Sequence, residues 1–335
     1  MKNHTIANLF MLFLLTFNIA IAIILGRLYH GVLQGTQMTG WVNTPWFLVA
    51  NQLMGLLLPL VVFKGLLKMV QADYGIYDED ALTGSNTDAK LPLGVVNVIF
   101  IVAISLFIQP FMMLVAAIAS LMFPNPVVDA LTGAGLLYMP LPVSLLVIAV
   151  TPAVCEELVF RGFIQQKYAQ QPMIITAIVN GLFFGIIHLN LHQFTYAFLM
   201  GIVFVYMVHI TKTVWAAVIS HFVINASQFS LMYWAQQNVY MLEQMEQIEA
   251  YYYALPENAE MVMAIVALGM IAIFTMPVVG TVFYFFVKHN EERNKTDGKV
   301  EDNTEDVIPE EKPGHPFDMA FFAVVLVFVG LMLVL

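Results

Sequence analysis

Apolar runs long enough to cross a bilayer recur almost from one end of this chain to the other. A spanning helix needs roughly 17–25 predominantly apolar residues. Such runs occur at 6–26, 45–63, 93–123, 142–164, 173–189, 193–211, 213–233 and 259–287, with a last one at 316–335. Inside hydrocarbon every backbone N–H and C=O must be satisfied within the protein, so only helices or closed barrels can span. Runs of this length are helical rather than barrel-like. The expected fold is therefore all-α: a polytopic integral membrane helical bundle of eight to nine transmembrane helices. Of 335 residues, 60% are hydrophobic and 11% charged, against about 25% charged in soluble domains. No polar stretch is long enough to bury a core of its own. The run at 93–123 is long enough to tilt, or to kink at Pro110. Four segments read as loops: 27–44, 72–92, 234–258 and 288–315.

Lysine and arginine placement orients the bundle. With a cytoplasmic N-terminus, Lys2, Lys64, Lys68, Lys90, Arg161, Lys167, Lys212, Lys288, Arg293, Lys295, Lys299 and Lys312 fall on one side, and only Arg27 on the other. This is the positive-inside pattern, and it favours nine spans with the N-terminus inside. The loop 234–258 carries Glu243, Glu246, Glu249 and Glu257 without a basic residue. Net charge is −10 and comes from acidic loops, which excludes nucleic acid as a partner. A single cysteine, Cys155, rules out an intrachain disulfide and a cysteine-rich metal site. The apolar N-terminus lacks a small-residue cleavage site and is read as a retained first span. The chain divides into N-terminal transmembrane helices (1–140), a core carrying the chemistry (141–233), and C-terminal helices (234–335) with an acidic, solvated linker at 288–315.

The core is set apart by charge in the wrong place. Glu156 and Glu157 are adjacent, and Arg161 follows, inside a run that otherwise reads as membrane-spanning. A carboxylate at the centre of a membrane helix costs about 2.5–3.5 kcal/mol even on insertion scales, and such residues mark function. Two neighbouring segments also carry polar groups at helical spacing. Asn180, Phe184 and His188 share one face, and His221 and Asn225 share another. The break Ala169-Gln170-Gln171-Pro172 reads as the turn of a helical hairpin. Glu156 and His188 then sit at similar depth, roughly 22–26 Å from that turn at 1.5 Å per residue. Gly181 and Gly185 form a small-xxx-small pair that would let the two hairpin helices approach closely.

Glu157 and Arg161 are four apart and can satisfy each other. Glu156 has no such partner on its own helix. It must be neutralised by a proton or face His188, His221, water or a metal. A carboxylate beside an imidazole is the arrangement that activates water, and His221 with Asn225 can donate to a developing oxyanion, each donor worth about 2.7–4 kcal/mol when preorganised. Cys155 points about 100° away from Glu156 around the helix, which argues against a cysteine nucleophile. Asn180 reads as interhelical glue, and His192 and His209 as helix-end or packing residues, with His192 a minor candidate for the cavity mouth.

Glu156-Glu157-x-x-x-Arg161, then Phe184-x-x-x-His188, then His221-x-x-x-Asn225, in that order on successive membrane helices, resembles the CPBP family over about residues 140–230. That family comprises the type II CAAX prenyl endopeptidases and the bacteriocin-processing, Abi-type intramembrane proteases. The resemblance implies a peptidase in which Glu156 and His188 activate the attacking water, His221 and Asn225 stabilise the oxyanion, and Glu157 and Arg161 hold the helix in place. It equally allows Glu156, His188 and His221 to ligate a divalent metal such as zinc. The implied partner, besides the lipid bilayer, is a membrane-associated or lipid-modified peptide or protein. Short loops and modest size fit the bacterial branch, hence a bacterial plasma membrane. The competing readings are a transporter or proton relay, and a non-proteolytic scaffold or immunity protein. A carrier built on inverted repeats would show them in the sequence, and none stands out.

Overall fold

The computed structural model describes residues 2–28, 44–73, 93–238, 243, 259–296 and 314–334. Every regular element among them is helical. Helix α1 is Asn3–Leu28. Helix α2 is Pro45–Gln52, continued through a π turn at Leu53–Leu57 into Leu58–Asp73. The run at 93–123 is two helices, α3 (Val95–Phe107) and α4 (Gln109–Ser120), broken at Ile108 just before Pro110. A short α5 (Pro126–Gly133) and a 3₁₀ turn at Leu136–Tyr138 follow, a stretch for which the sequence pattern gave no assignment. Helix α6 (Leu141–Lys167) contains two π turns, Leu146–Val150 and Phe160–Ile164. Then come α7 (Met173–Ile186), α8 (Leu191–Thr211), α9 (Trp215–Gln237), α10 (Ala259–Thr296) and α11 (Met319–Val334).

Six helices are long and apolar enough to cross a membrane: Asn3–Ile24, Pro45–Met69, Val95–Ser120, Leu141–Lys167, Leu191–Thr211 and Met261–Arg293, with Met173–Ile186 and Met319–Leu333 apolar but shorter. The protein is an integral membrane helical bundle. Helix α9 is long enough but outside that set, because Ser220, His221, Asn225, Ser227 and Gln228 dilute its apolar face. All but the exposed Gln228 turn at least partly inward: Ser220 pairs with Ser105 of α3 at 2.7 Å, and Gln109 of α4 donates to Ser227 at 2.9 Å.

Both π turns that lie upstream of a proline serve the same purpose. Proline has no N–H for the carbonyl four residues earlier. Pro59 thus leaves Gly55 O without that donor, and Asn18 of α1 donates to it at 2.8 Å. Pro152 does the same to Ile148 O, and Asn225 of α9 donates there at 3.2 Å. In each case a helix carrying a π turn and a proline is tied to a neighbour by an asparagine.

Three expectations need correction. Gly181 and Gly185 pack against α8, not α6: a Cβ on Gly181 would lie 2.7 Å from Phe198 O, and one on Gly201 of α8 would lie 2.7 Å from Gly181 Cα. Asn180 does not bridge helices, since it donates to Thr176 O one turn back at 2.8 Å. The acidic linker starts later than 288, because α10 runs to Thr296. Buried Asn290 of α10 exchanges amide hydrogen bonds with Asn97 of α3 at 2.8 and 3.0 Å, which holds that helical end in the bundle. Residues 297–313, most of that linker, lie outside the described residues, as do most of the loops at 27–44, 72–92 and 234–258.

Helix α11 closes the bundle against α1. Asn8 donates to Pro316 O and to Asp318 Oδ1, both at 3.0 Å, and accepts from Tyr168 at the end of α6. The hairpin turn falls where the sequence put it, between Lys167 and Met173.

Candidate active site

Helix α6 presents its two glutamates to different neighbours because adjacent helical residues diverge by about 100°. Glu157 is fully buried, and its Oε2 meets Arg161 Nη1 at 3.0 Å. Arg161 is also fully buried. Its Nη2 donates to Gly201 O at 3.0 Å, and its guanidinium lies 4.5 Å from the Phe184 ring centroid and 5.1 Å from that of Phe204. A buried charge is tolerable only when paired and hydrogen-bonded, and this arginine has a carboxylate, a carbonyl and aromatic faces around it. Its donors depend on the close α7–α8 approach, since Gly201 is the residue packed on Gly181.

Glu157 has a second partner. Its Oε1 lies 2.9 Å from Nδ1 of His221 on α9. A carboxylate oxygen accepts, so Nδ1 carries the proton and Nε2 is the ring nitrogen left for other partners. The ring is stacked on Phe204 at 5.5 Å and meets the edge of Phe184 at 5.9 Å. The sequence reading gave Glu157 to Arg161 alone and set His221 against Glu156. The structure instead chains Arg161, Glu157 and His221 together.

Glu156 is nearly buried, and Gln52 Nε2 of α2 donates to its Oε1 at 3.1 Å. Its Oε2 is buried without a hydrogen-bond partner. His188 does not sit in α7 as the helical spacing suggested. The helix stops at Ile186, His188 lies in the turn beyond it, and Leu189 adopts a positive φ of 50°. Its Nδ1 donates to Phe184 O at 2.8 Å, which again leaves Nε2 free of the backbone. Asn190 then caps α8 by accepting from Gln193 N at 2.9 Å.

Glu156, His188, His221 and Asn225 line one cavity of about 450 Å³, within the roughly 300–1,000 Å³ of small-ligand sites. Its remaining wall is largely apolar, with Met112, Met113, Met200 and Met232 among its side chains, beside Gln52, His192, Gln193, Tyr196 and Gln228. Cys155 is buried and absent from this lining. Among the described residues, no three His, Cys, Asp or Glu side chains are grouped closely enough to hold a metal ion. The set Glu156, His188 and His221 shares the cavity without forming such a group, so no step below is routed through a metal.

The segment that supplies these side chains, residues 139–227, matches the family described as type II CAAX prenyl endopeptidase Rce1-like. This match supports the resemblance of that segment to the CPBP family of intramembrane proteases. No curated protein and no solved structure matches the chain at a significant level.

The matched segment does not form the whole cavity. Gln52 on α2 and the α4 residues Met112, Met113 and Ala116 come from outside the matched segment. Gln52 escaped the sequence reading, although Asn51-Gln52 is a polar pair inside an apolar run, which is the available signal. His192, read as a packing residue or a cavity-mouth candidate, is both buried and part of the lining. Its Nε2 lies 2.9 Å from Ser120 Oγ and 3.1 Å from Ala116 O, tying α8 to α4.

Proposed function

We propose that this protein is an intramembrane endopeptidase that hydrolyses a peptide bond in a membrane-associated or lipid-modified peptide or protein. One observation carries the reading: Glu156, His188, His221 and Asn225, from α6, the α7–α8 turn and α9, converge on one membrane-embedded cavity inside the segment that matches the protease family. Water held between the Glu156 carboxylate and Nε2 of His188 loses a proton as it attacks the scissile carbonyl. Charge builds on the carbonyl oxygen, opposite the wall formed by His221 and Asn225. His221 donates from Nε2 when both its nitrogens are protonated, with Glu157 against Nδ1. Asn225 contributes its amide after release from, or sharing with, Ile148 O. The proton taken up by Glu156 or His188 passes to the leaving amine. The apolar, methionine-rich remainder of the cavity suits an apolar or lipid-bearing chain, since methionine adapts to irregular shapes. Lysine and arginine distribution supports a cytoplasmic N-terminus.

Purified protein in lipid nanodiscs, incubated with lipid-modified and unmodified membrane peptides and read by mass spectrometry, tests the proposal. Wild type cleaves at least one peptide at a defined bond, whereas Glu156→Gln and His188→Ala, folded equally well, do not. Equal product from wild type and Glu156→Gln would refute it, and would leave the scaffold reading in its place.

A further inference from the structure

Among the described residues Glu156 makes a single side-chain hydrogen bond, and the donor comes from outside the segment that matches the protease family. Gln52 of α2 places Nε2 3.1 Å from Glu156 Oε1, while Gln52 Oε1 and Glu156 Oε2 are both buried without partners. The amide orientation follows from chemistry: a carboxylate accepts, so the nitrogen must face it. Gln52 also stands at a special place in its helix, the last residue before the π turn at Leu53–Leu57, and π turns cluster at functional sites. Asn18 fixes that turn by donating to Gly55 O. Asn18 thus ties α2 to α1 while α2 also packs against α6, and Gln52 reaches Glu156 across that α2–α6 contact.

We infer that Gln52 is a positioning residue for Glu156. By engaging Oε1 it prevents the carboxylate from rotating and fixes its orientation at the cavity wall. Nothing else on the helix performs this task, since Glu157 is occupied by Arg161 and His221. This inference rests on the hydrolase reading for its consequence, though not for the contact itself.

The test compares wild type with Gln52→Leu, Gln52→Glu and Asn51→Leu in nanodiscs, each checked for monodispersity and melting temperature. Asn51 is the exposed neighbour on the same helix and controls for loss of polarity in α2. With the membrane peptide that wild type cleaves, Gln52→Leu and Gln52→Glu lower kcat by about 10–100-fold, the fold-change that loss of a hydrogen bond to a charged group corresponds to. KM stays close to wild type, and Asn51→Leu behaves as wild type. In parallel, the ¹³C-carboxyl resonance of Glu156, assigned by its loss in Glu156→Gln, moves in Gln52→Leu and not in Asn51→Leu. Unchanged kcat in a folded Gln52→Leu, or equal losses in Gln52→Leu and Asn51→Leu, overturns the inference. If wild type cleaves no peptide, the hydrolase reading falls, and the resonance decides the contact alone: an unmoved signal in Gln52→Leu overturns it, and a moved signal upholds it.

Discussion

Glu157 Oε1 lies 2.9 Å from His221 Nδ1, so the carboxylate that neutralises Arg161 also orients a cavity histidine. One group therefore serves stability and geometry at once. Glu156, the neighbour that makes no salt bridge among the described residues, is left to the cavity. The polar residues around them form two separate circuits, Arg161–Glu157–His221 and Gln52–Glu156.

The first circuit allows its two duties to be separated. Arg161→Met leaves Glu157 buried without its cation, and Glu157→Gln leaves Arg161 without its anion. Breaking one half of a buried pair costs about 3–5 kcal/mol. The double variant Glu157→Gln/Arg161→Met removes both charges, and apolar replacement of a buried pair is often neutral or stabilising. Its melting temperature in nanodiscs should return toward wild type. Cleavage should not return, because His221 has lost the carboxylate at Nδ1. Recovery of both together would mean that Glu157 acts on stability alone.

Asn18 and Asn225 offer a matched comparison, since each fills the carbonyl that a proline one turn later leaves unserved. Interhelical hydrogen bonds in membranes are worth about 0.6 kcal/mol on average and about 1.7 at most. Asn18→Leu and Asn225→Leu should lose stability to a similar small extent in unfolding titrations. Only Asn225 lines the cavity. Asn225→Leu should therefore also lower kcat by about 10²–10³, as expected for an oxyanion donor, while Asn18→Leu keeps wild-type turnover.

These two prolines show what a sequence yields and what it withholds. The helical class, the hairpin turn before Met173 and the Glu157–Arg161 pair follow from apolar run length and i,i+4 spacing, which are local. The order Glu156, His188, His221, Asn225 along the chain is likewise legible. Which asparagine answers which proline is not, because Asn225 and Ile148 are 77 residues apart and their meeting depends on how α9 crosses α6. Gln52 was missed for the same reason: 104 residues separate it from Glu156. The glycines of α7 were read correctly as a close-packing face but given the wrong partner, since spacing on one helix does not name the helix opposite. His188 left the helix because α7 ends two residues before it, a boundary that apolar periodicity does not mark.

The α7–α8 contact has no room for a methyl group. A Cβ on Gly201 would lie 2.7 Å from Gly181 Cα and 3.2 Å from Phe184 Cβ, so neither a backbone atom nor a ring root can yield cheaply. Gly201→Ala should destabilise by about 1–3 kcal/mol, the usual cost of overpacking, and should lower activity as Arg161 loses its acceptor. Gly280→Ala on α10 meets nothing within 4 Å. There, alanine's better helix propensity, about 1 kcal/mol over glycine, should leave stability equal or slightly raised.

Metal dependence can be decided by removal. Glu156, His188 and His221 supply the donor types of a two-histidine, one-carboxylate site, and such a site would generate hydroxide at neutral pH. In the structure, however, Glu157 holds Nδ1 of His221, Gln52 holds one oxygen of Glu156, and Phe184 O holds Nδ1 of His188. Glu156, His188 and His221 line a cavity roomy enough for water and substrate, without being grouped as ligands of one ion among the described residues. Cleavage by wild type should therefore survive prolonged dialysis against a strong chelator, with kcat unchanged and no stoichiometric metal by elemental analysis. Activity lost on chelation and regained with zinc, but not with magnesium, would instead require Glu156, His188 and His221 to draw together around the ion when it binds.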